Sequence, residues 1–100
     1  MSAYCFFNVL EINDPELMEE YRSKVFDTVE AHGGRYRLIG GDIRKKEGDW
    51  MPAFPVLIEF PDMASAEAWY HSEEYRPLLK LRLAATKCEA VFMESPGLAS

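Results

Sequence analysis

Basic residues, histidines, cysteines and metal-binding spacings are all scarce in this chain, and each shortage removes a class of function. Eleven Lys and Arg stand against seventeen Asp and Glu, a net charge of −6. A nucleic-acid backbone or an anionic lipid surface needs a basic face, so neither nucleic acid nor a membrane is expected as a partner. No apolar run approaches the roughly 20 residues that cross a bilayer. Met1-Ser2-Ala3-Tyr4 has no basic region of the kind that opens a secretory signal, which makes the cytoplasm the expected location. The two histidines, His32 and His71, are far apart, and no His-x-x-x-His or Cys-x-x-Cys spacing occurs, so no metal is expected. Neither glycine pair leads into a phosphate loop or a dinucleotide fingerprint, and neither histidine has the context of a haem ligand; no cofactor is expected. Cys5 and Cys88 open strands at opposite ends of an antiparallel ladder, too far apart for a disulfide, and are expected as reduced thiols.

What is present is a folding sequence, with 48% hydrophobic residues in a length that suits one domain. Tyr4 to Ile12 has the β-branched and aromatic content of a strand. Asp14-Pro15 then opens a helix, with Asp as the cap and Pro at the first helical position. Leu17, Tyr21, Val25 and Val29 recur at helical spacing, and Gly33 is placed to end the helix in a left-handed conformation. A second strand is expected from Arg35 to about Arg44, with Gly40-Gly41 inside it as a bulge, followed by an irregular stretch at 45–55. A third strand at Val56–Phe60, helices at Ala64–His71 and Pro77–Ala85, and a last strand at Lys87–Glu94 complete the chain. Residues 1–96 form the single domain and 97–100 a loose tail.

The order βαββαβ implies an α+β, ferredoxin-like sandwich with a four-stranded antiparallel sheet and helices on one face. Both sheet faces are apolar: Tyr4, Phe6, Leu10 and Ile12 alternate with Cys5, Phe7 and Val9. Helices cover one face only, so the other is expected to meet a second copy in a homodimer.

Polar residues set among apolar ones are the candidates for chemistry. Asn8 interrupts strand 1, Arg35 and Tyr36 begin strand 2, Glu59 sits between Ile58 and Phe60, and Arg82 lies between Leu81 and Leu83. Each needs a partner when buried. Glu59 with Arg35 or Arg82 is either a structural ion pair or a base beside an arginine that binds an acidic ligand. His32 is either a helix-terminal residue or a second candidate base. Trp69, Tyr70 and Tyr75 fill the space between helix and sheet, and Trp69 and Tyr75 can also line a ligand site. Trp50, in a proline-bounded polar loop, caps the fold, a partner subunit or a pocket mouth, and its loop could act as a flap.

Several islands are ordered as a set: Gly33-Gly34-Arg35-Tyr36, Gly40-Gly41, Glu47-Gly48-Asp49-Trp50 with Pro52, Glu59-Phe60-Pro61, Ala68-Trp69-Tyr70 with Ser72, then Tyr75 and Arg82. The set resembles the family known as domain of unknown function number 1330. That resemblance implies membership of the dimeric α+β barrel superfamily of ferredoxin-like units, hence a dimeric α+β barrel. The wider superfamily includes cofactor-free monooxygenases, lactone isomerases and haem-degrading enzymes. Where relatives carry an arginine shortly after Trp-x-Pro, this chain has Phe54-Pro55; where they read Ser-Pro-Glu-Tyr, it has Ser72-Glu73-Glu74-Tyr75. If that arginine binds a ligand in relatives, the first difference implies a different or more apolar ligand here. Two functions follow as expectations. One is a protein that binds a small, mostly apolar or acidic metabolite between sheet and helices, with Arg35, Tyr36, Trp50, Trp69, Tyr75 and Arg82 as ligand residues. The other is a cofactor-independent enzyme, monooxygenase- or isomerase-like, acting on a small organic acid or lactone with Glu59 or His32 as base. Ligand sensing without an attached DNA-binding domain is a weaker third.

Overall fold

The Asp14 carboxylate accepts hydrogen bonds from the Glu16 and Leu17 amides at 3.2 Å, and the helix that it caps, α1, runs Pro15–Ala31. Its far end closes as a Schellman motif. The Gly34 amide donates to the Val29 carbonyl at 2.9 Å and the Gly33 amide to that of Glu30 at 3.0 Å, with Gly33 at φ +80°. A side chain at Gly33 would be strained there, and a Cβ on Gly34 would lie 2.6 Å from Phe60 and 2.7 Å from Val29. The Gly33-Gly34 pair thus turns the chain and lets helix and sheet pack closely. The computed structural model describes residues 1–96, so the tail expected at 97–100 lies outside the described residues.

The strands are β1 (Ala3–Ile12), β2 (Arg35–Ile39), β3 (Pro55–Phe60) and β4 (Thr86–Glu94); two further helices are α2 (Met63–Tyr70) and α3 (Arg76–Ala85). All pairings are antiparallel, in the order β2-β3-β1-β4. β2 is shorter than its sequence suggests. Gly40 and Gly41 have φ +61° and +104°, and two left-handed residues in succession end a ladder rather than bulge it. Gly40 also lies under the Phe54 ring, 2.6 Å from where a Cβ would stand.

The expected barrel is not formed. The sheet is open, with β2 and β4 at opposite edges and no ladder between them. Four strands are too few to close on themselves, since even an eight-stranded barrel has an interior only wide enough for side chains. The architecture is an open four-stranded antiparallel sheet with helices on one face.

Register assigns the two faces. Tyr36, Ile58, Cys5 and Phe92 form one transverse row beneath the helices, and Ile39, Val56, Phe7 and Ala90 the next. On the opposite face Leu38, Leu57, Phe6 and Val91 form a row, beside Arg35, Glu59, Tyr4 and Met93. Helices cover the first face, where Trp69, Tyr75, Phe60 and Cys5 are fully buried. The second stays open, with Val91 and Met93 about half exposed at 54% and 51%. Both cysteines are free thiols; burial, reinforced by the Glu67 charge, pushes the Cys5 thiol up to about 12. No helix among the described residues is long and apolar enough to cross a membrane.

Candidate functional site

A cavity of about 430 Å³ lies between α1 and the sheet. Phe7, Val56 and Ile58 floor it, Met18, Tyr21 and Val25 of α1 roof it, and Phe54 stands at its rim. Its wall is apolar apart from a few groups: the Tyr21 and Tyr36 side chains, Arg82 from α3, and Glu11 and Arg22 at exposed positions. Volume and lining both suit a small organic ligand.

Asn8 sets the rim. Its Oδ1 accepts from the Ala53 and Phe54 amides at 2.8 and 3.2 Å, while its Nδ2 donates to Glu89 at 3.3 Å. The polar residue that breaks the apolar run of β1 is therefore a clamp, fully buried and satisfied, that ties the chain before β3 down beside the cavity. A register shift between Val9 and Glu11 follows, and such a bulge re-aims the end of β1 along the mouth.

Arg82 is 4% exposed. Its Nε donates to the Tyr75 hydroxyl at 3.2 Å, which shares a 3.0 Å hydrogen bond with the Tyr21 hydroxyl, and its guanidinium carbon stands 5.1 Å from the centroid of the Phe7 ring. Burial raises all three neighbouring phenols: Tyr21 well above the ordinary tyrosine range, and Tyr36 and Tyr75 above it as well. Burial works most strongly against the Arg82 charge, but Tyr75, Tyr21 and Cys88 together outweigh it, so the guanidinium keeps its proton. A phenol that is raised by folding stabilises the fold fully below its unfolded value near 10, and that stability is lost as pH climbs toward the folded value. Absorbance at 295 nm should therefore show Tyr21, Tyr36 and Tyr75 ionising late, with stability falling steadily above about pH 10. Five tyrosines titrating together near pH 10 in intact protein would contradict this.

Of the residues singled out in the sequence, the structure brings Tyr36 and Arg82 to the cavity wall and sets Tyr75 directly behind Arg82. Trp69 is fully buried in the packing between α2 and the sheet, 4.3 Å from Tyr75 by ring centroids, with its Nε1 donating to the Thr28 hydroxyl at 3.0 Å. Trp50 is on the open face, 63% exposed, 6.4 Å from Phe6 by ring centroids. Glu59 is also on the open face. Its partner is neither Arg35 nor Arg82 but Arg37, at 2.7 Å, with Ser2 and Tyr4 hydroxyls on the other oxygen. The Ser2 hydroxyl and then Arg37 lower its pKa, which makes Glu59 a weak base. Arg35 does not line the cavity but lines two more open clefts near Gly33, one of about 490 Å³ that shares Phe26 and Tyr36 with the cavity. His32 caps α1 with Nδ1 3.0 Å from the Thr28 carbonyl and does not line the cavity. Among the described residues no three His, Cys, Asp or Glu side chains gather as metal ligands.

Tyr21 and Arg37 carry polar contacts that sequence reasoning missed. Tyr21 was visible only as one member of an apolar helical stripe, and its hydroxyl was the one signal that it differed from Val25 and Val29.

A family model described as domain of unknown function (DUF1330) matches residues 2–96. No curated protein matches the chain. Among solved structures, a protein of unknown function from Rhodopseudomonas palustris is 16% identical with a TM-score of 0.72, over 96% of this chain and 83% of that one. A dimeric ferredoxin-like protein of unknown function from Jannaschia sp. CCS1 is 12% identical with a TM-score of 0.65, over 95% of this chain and 100% of that one. SnoaB, a cofactor-independent oxygenase from Streptomyces nogalater, is 12% identical with a TM-score of 0.58, over 96% and 92% of the two chains. At these identities the likeness is one of fold.

Proposed function

The chain belongs to the DUF1330 family, and from that premise we propose that it is a cofactor-independent oxygenase acting on a small, mostly apolar molecule held between α1 and the sheet. The observation that carries this is the cavity itself: about 430 Å³, apolar, and roofed by a helix that the Gly33-Gly34 turn fixes against the sheet. The fold shared with SnoaB, an oxygenase of this kind, supports the same reading. Phe54 at the rim, in the region where relatives carry an arginine, favours an apolar substrate.

Oxygenation without a cofactor draws every electron from the substrate. A CH₂ group acidified by neighbouring carbonyls or an aromatic ring loses a proton, and the carbanion gives one electron to O₂. The resulting radical and superoxide combine into a peroxide, whose O–O bond breaks as the second C–H proton leaves. The organic product is a ketone. The hydroxide set free takes up the first proton, so one CH₂ and one O₂ become one C=O and one water. The protein's part is to exclude bulk water and to favour the ionised substrate. Glu59 and His32 stand off the cavity and have no part in this scheme; Glu11 is the one carboxylate residue along the wall.

Oxygen uptake over a panel of enolisable and phenolic compounds tests the proposal. The expected result is one O₂ consumed per substrate without added flavin or metal. Ala53→Trp, at an exposed rim position, should lower kcat/KM by about tenfold or more while leaving the fold intact. Uptake that ignores Ala53→Trp would move the chemistry elsewhere. Binding without uptake would favour the simple binding protein instead.

The proposal includes a second copy on the open face. The row Leu38, Leu57, Phe6 and Val91, flanked by Met93 and Trp50, is the kind of contiguous apolar surface that marks an interface. The dimeric relative from Jannaschia supports it. Two sheets face to face would bury about 800 Å² or more per copy.

A further inference from the structure

Arg82 has no counter-charge. Among the described residues no carboxylate comes within 4 Å of it; the five ion pairs present all lie elsewhere. Among the described residues its guanidinium donates to the Tyr75 hydroxyl through Nε and to the Cys88 sulfur, and no other protein oxygen meets it. Arg82 lines the cavity, so a ligand there can meet its guanidinium. Burial keeps Tyr21, Tyr75 and the nearby Cys88 thiol protonated, and none of them supplies a negative charge. A guanidinium this deeply buried is costly without an anion, and its planar fork fits two oxygens side by side. Elsewhere the wall is apolar except for Tyr21, Tyr36 and the exposed Glu11 and Arg22.

We infer that the cavity holds an oxyanion subsite: Arg82, with the Tyr21 and Tyr36 hydroxyls beside it, takes the carboxylate or enolate oxygen of a ligand whose remaining body is apolar. This rests on the reading of the cavity as the ligand site and adds the charge and orientation of what enters it. The same subsite suits the proposed reaction, because it favours the ionised substrate over the neutral one.

A matched pair of fluorescent probes separates the two layers of the argument. Anilinonaphthalene sulfonate and phenylnaphthylamine share one apolar body and differ by an oxyanion. Wild-type protein should bind the sulfonate about 10- to 100-fold more tightly, as a charged hydrogen-bonded contact would give. Arg82→Met should reduce that preference to within about threefold and leave the neutral probe's affinity unchanged. Its melting temperature should hold or rise, since an apolar side chain replaces a buried charge of similar length. Arg82→Lys, which keeps the charge without the fork, should retain an intermediate preference and serves where the methionine variant does not fold. Ala53→Trp should weaken both probes alike. A neutral probe that binds as well as the sulfonate in wild-type protein would overturn the oxyanion subsite while leaving the cavity as the ligand site. Failure of both probes to bind would overturn the two together. A sulfonate preference that survives Arg82→Met, or persists unchanged in the lysine variant, would place the anion elsewhere and overturn the assignment to Arg82.

Discussion

Trp69→Ala should cost about 4 kcal/mol of stability and lower the melting temperature by roughly 15–30 °C. The indole is fully buried, with ring centroids 5.5 Å from Phe60, 6.2 Å from Phe7 and 4.3 Å from Tyr75. Truncation would open a void among three rings that hold one another and cannot collapse freely. It would also strip the Thr28 hydroxyl of its donor. A domain of this size has a total stability of about 5–15 kcal/mol, so the loss is a large share of it. Trp69→Phe keeps a ring and should cost about 1–2 kcal/mol, mostly through the lost hydrogen bond and the smaller area. Urea melts of both variants measure this. A loss below about 1 kcal/mol for Trp69→Ala would mean that the pillar is not one.

Val91→Asp should do the opposite: leave the fold within about 0.5 kcal/mol and abolish self-association. Val91 is 54% exposed in the single chain, so a carboxylate there stays in water. In the proposed dimer it would be trapped in an apolar seam alongside Phe6 and Leu57, with its two-fold copy close by. Burying an unpaired charge costs several kcal/mol, which weakens the dimer by about 100-fold or more. Light scattering should show a dimer for wild type and a monomer for the variant at micromolar concentration. A wild-type monomer, or a variant that still dimerises, would remove the open face as the interface.

These two variants mark what was legible in the sequence. The helix boundaries were written in single residues: Asp14-Pro15 at one end of α1 and Gly33-Gly34 at the other. The two apolar faces followed from period two along β1. The same period separates Glu59 from Ile58 and Phe60, which face the helices, and Arg35 from Tyr36. Glu59 and Arg35 were nevertheless set in the pocket with Arg82, because polarity was weighed and not face. The partner of Glu59 was not legible, because the shift in register between Tyr36 and Leu38 decides which arginine reaches it. Closure into a barrel came from resemblance, and strand order overturns it. Gly40-Gly41 read as a bulge because a glycine pair marks unusual backbone without saying whether the ladder resumes. The cavity depends on how far α1 stands from the sheet, and no pattern along the chain encodes that distance. Arg82 could be chosen from sequence as a polar residue in an apolar setting. Its lack of a counter-charge could not.

The most direct test of the central claim is to map where an apolar molecule sits, by methyl NMR of the protein titrated with phenylnaphthylamine. The account predicts shifts at Met18, Val25, Val56 and Ile58 around the cavity, with Leu57, Val91 and Met93 on the open face unmoved. Shifts confined to the open face, or none at the cavity methyls under saturating probe, would contradict it.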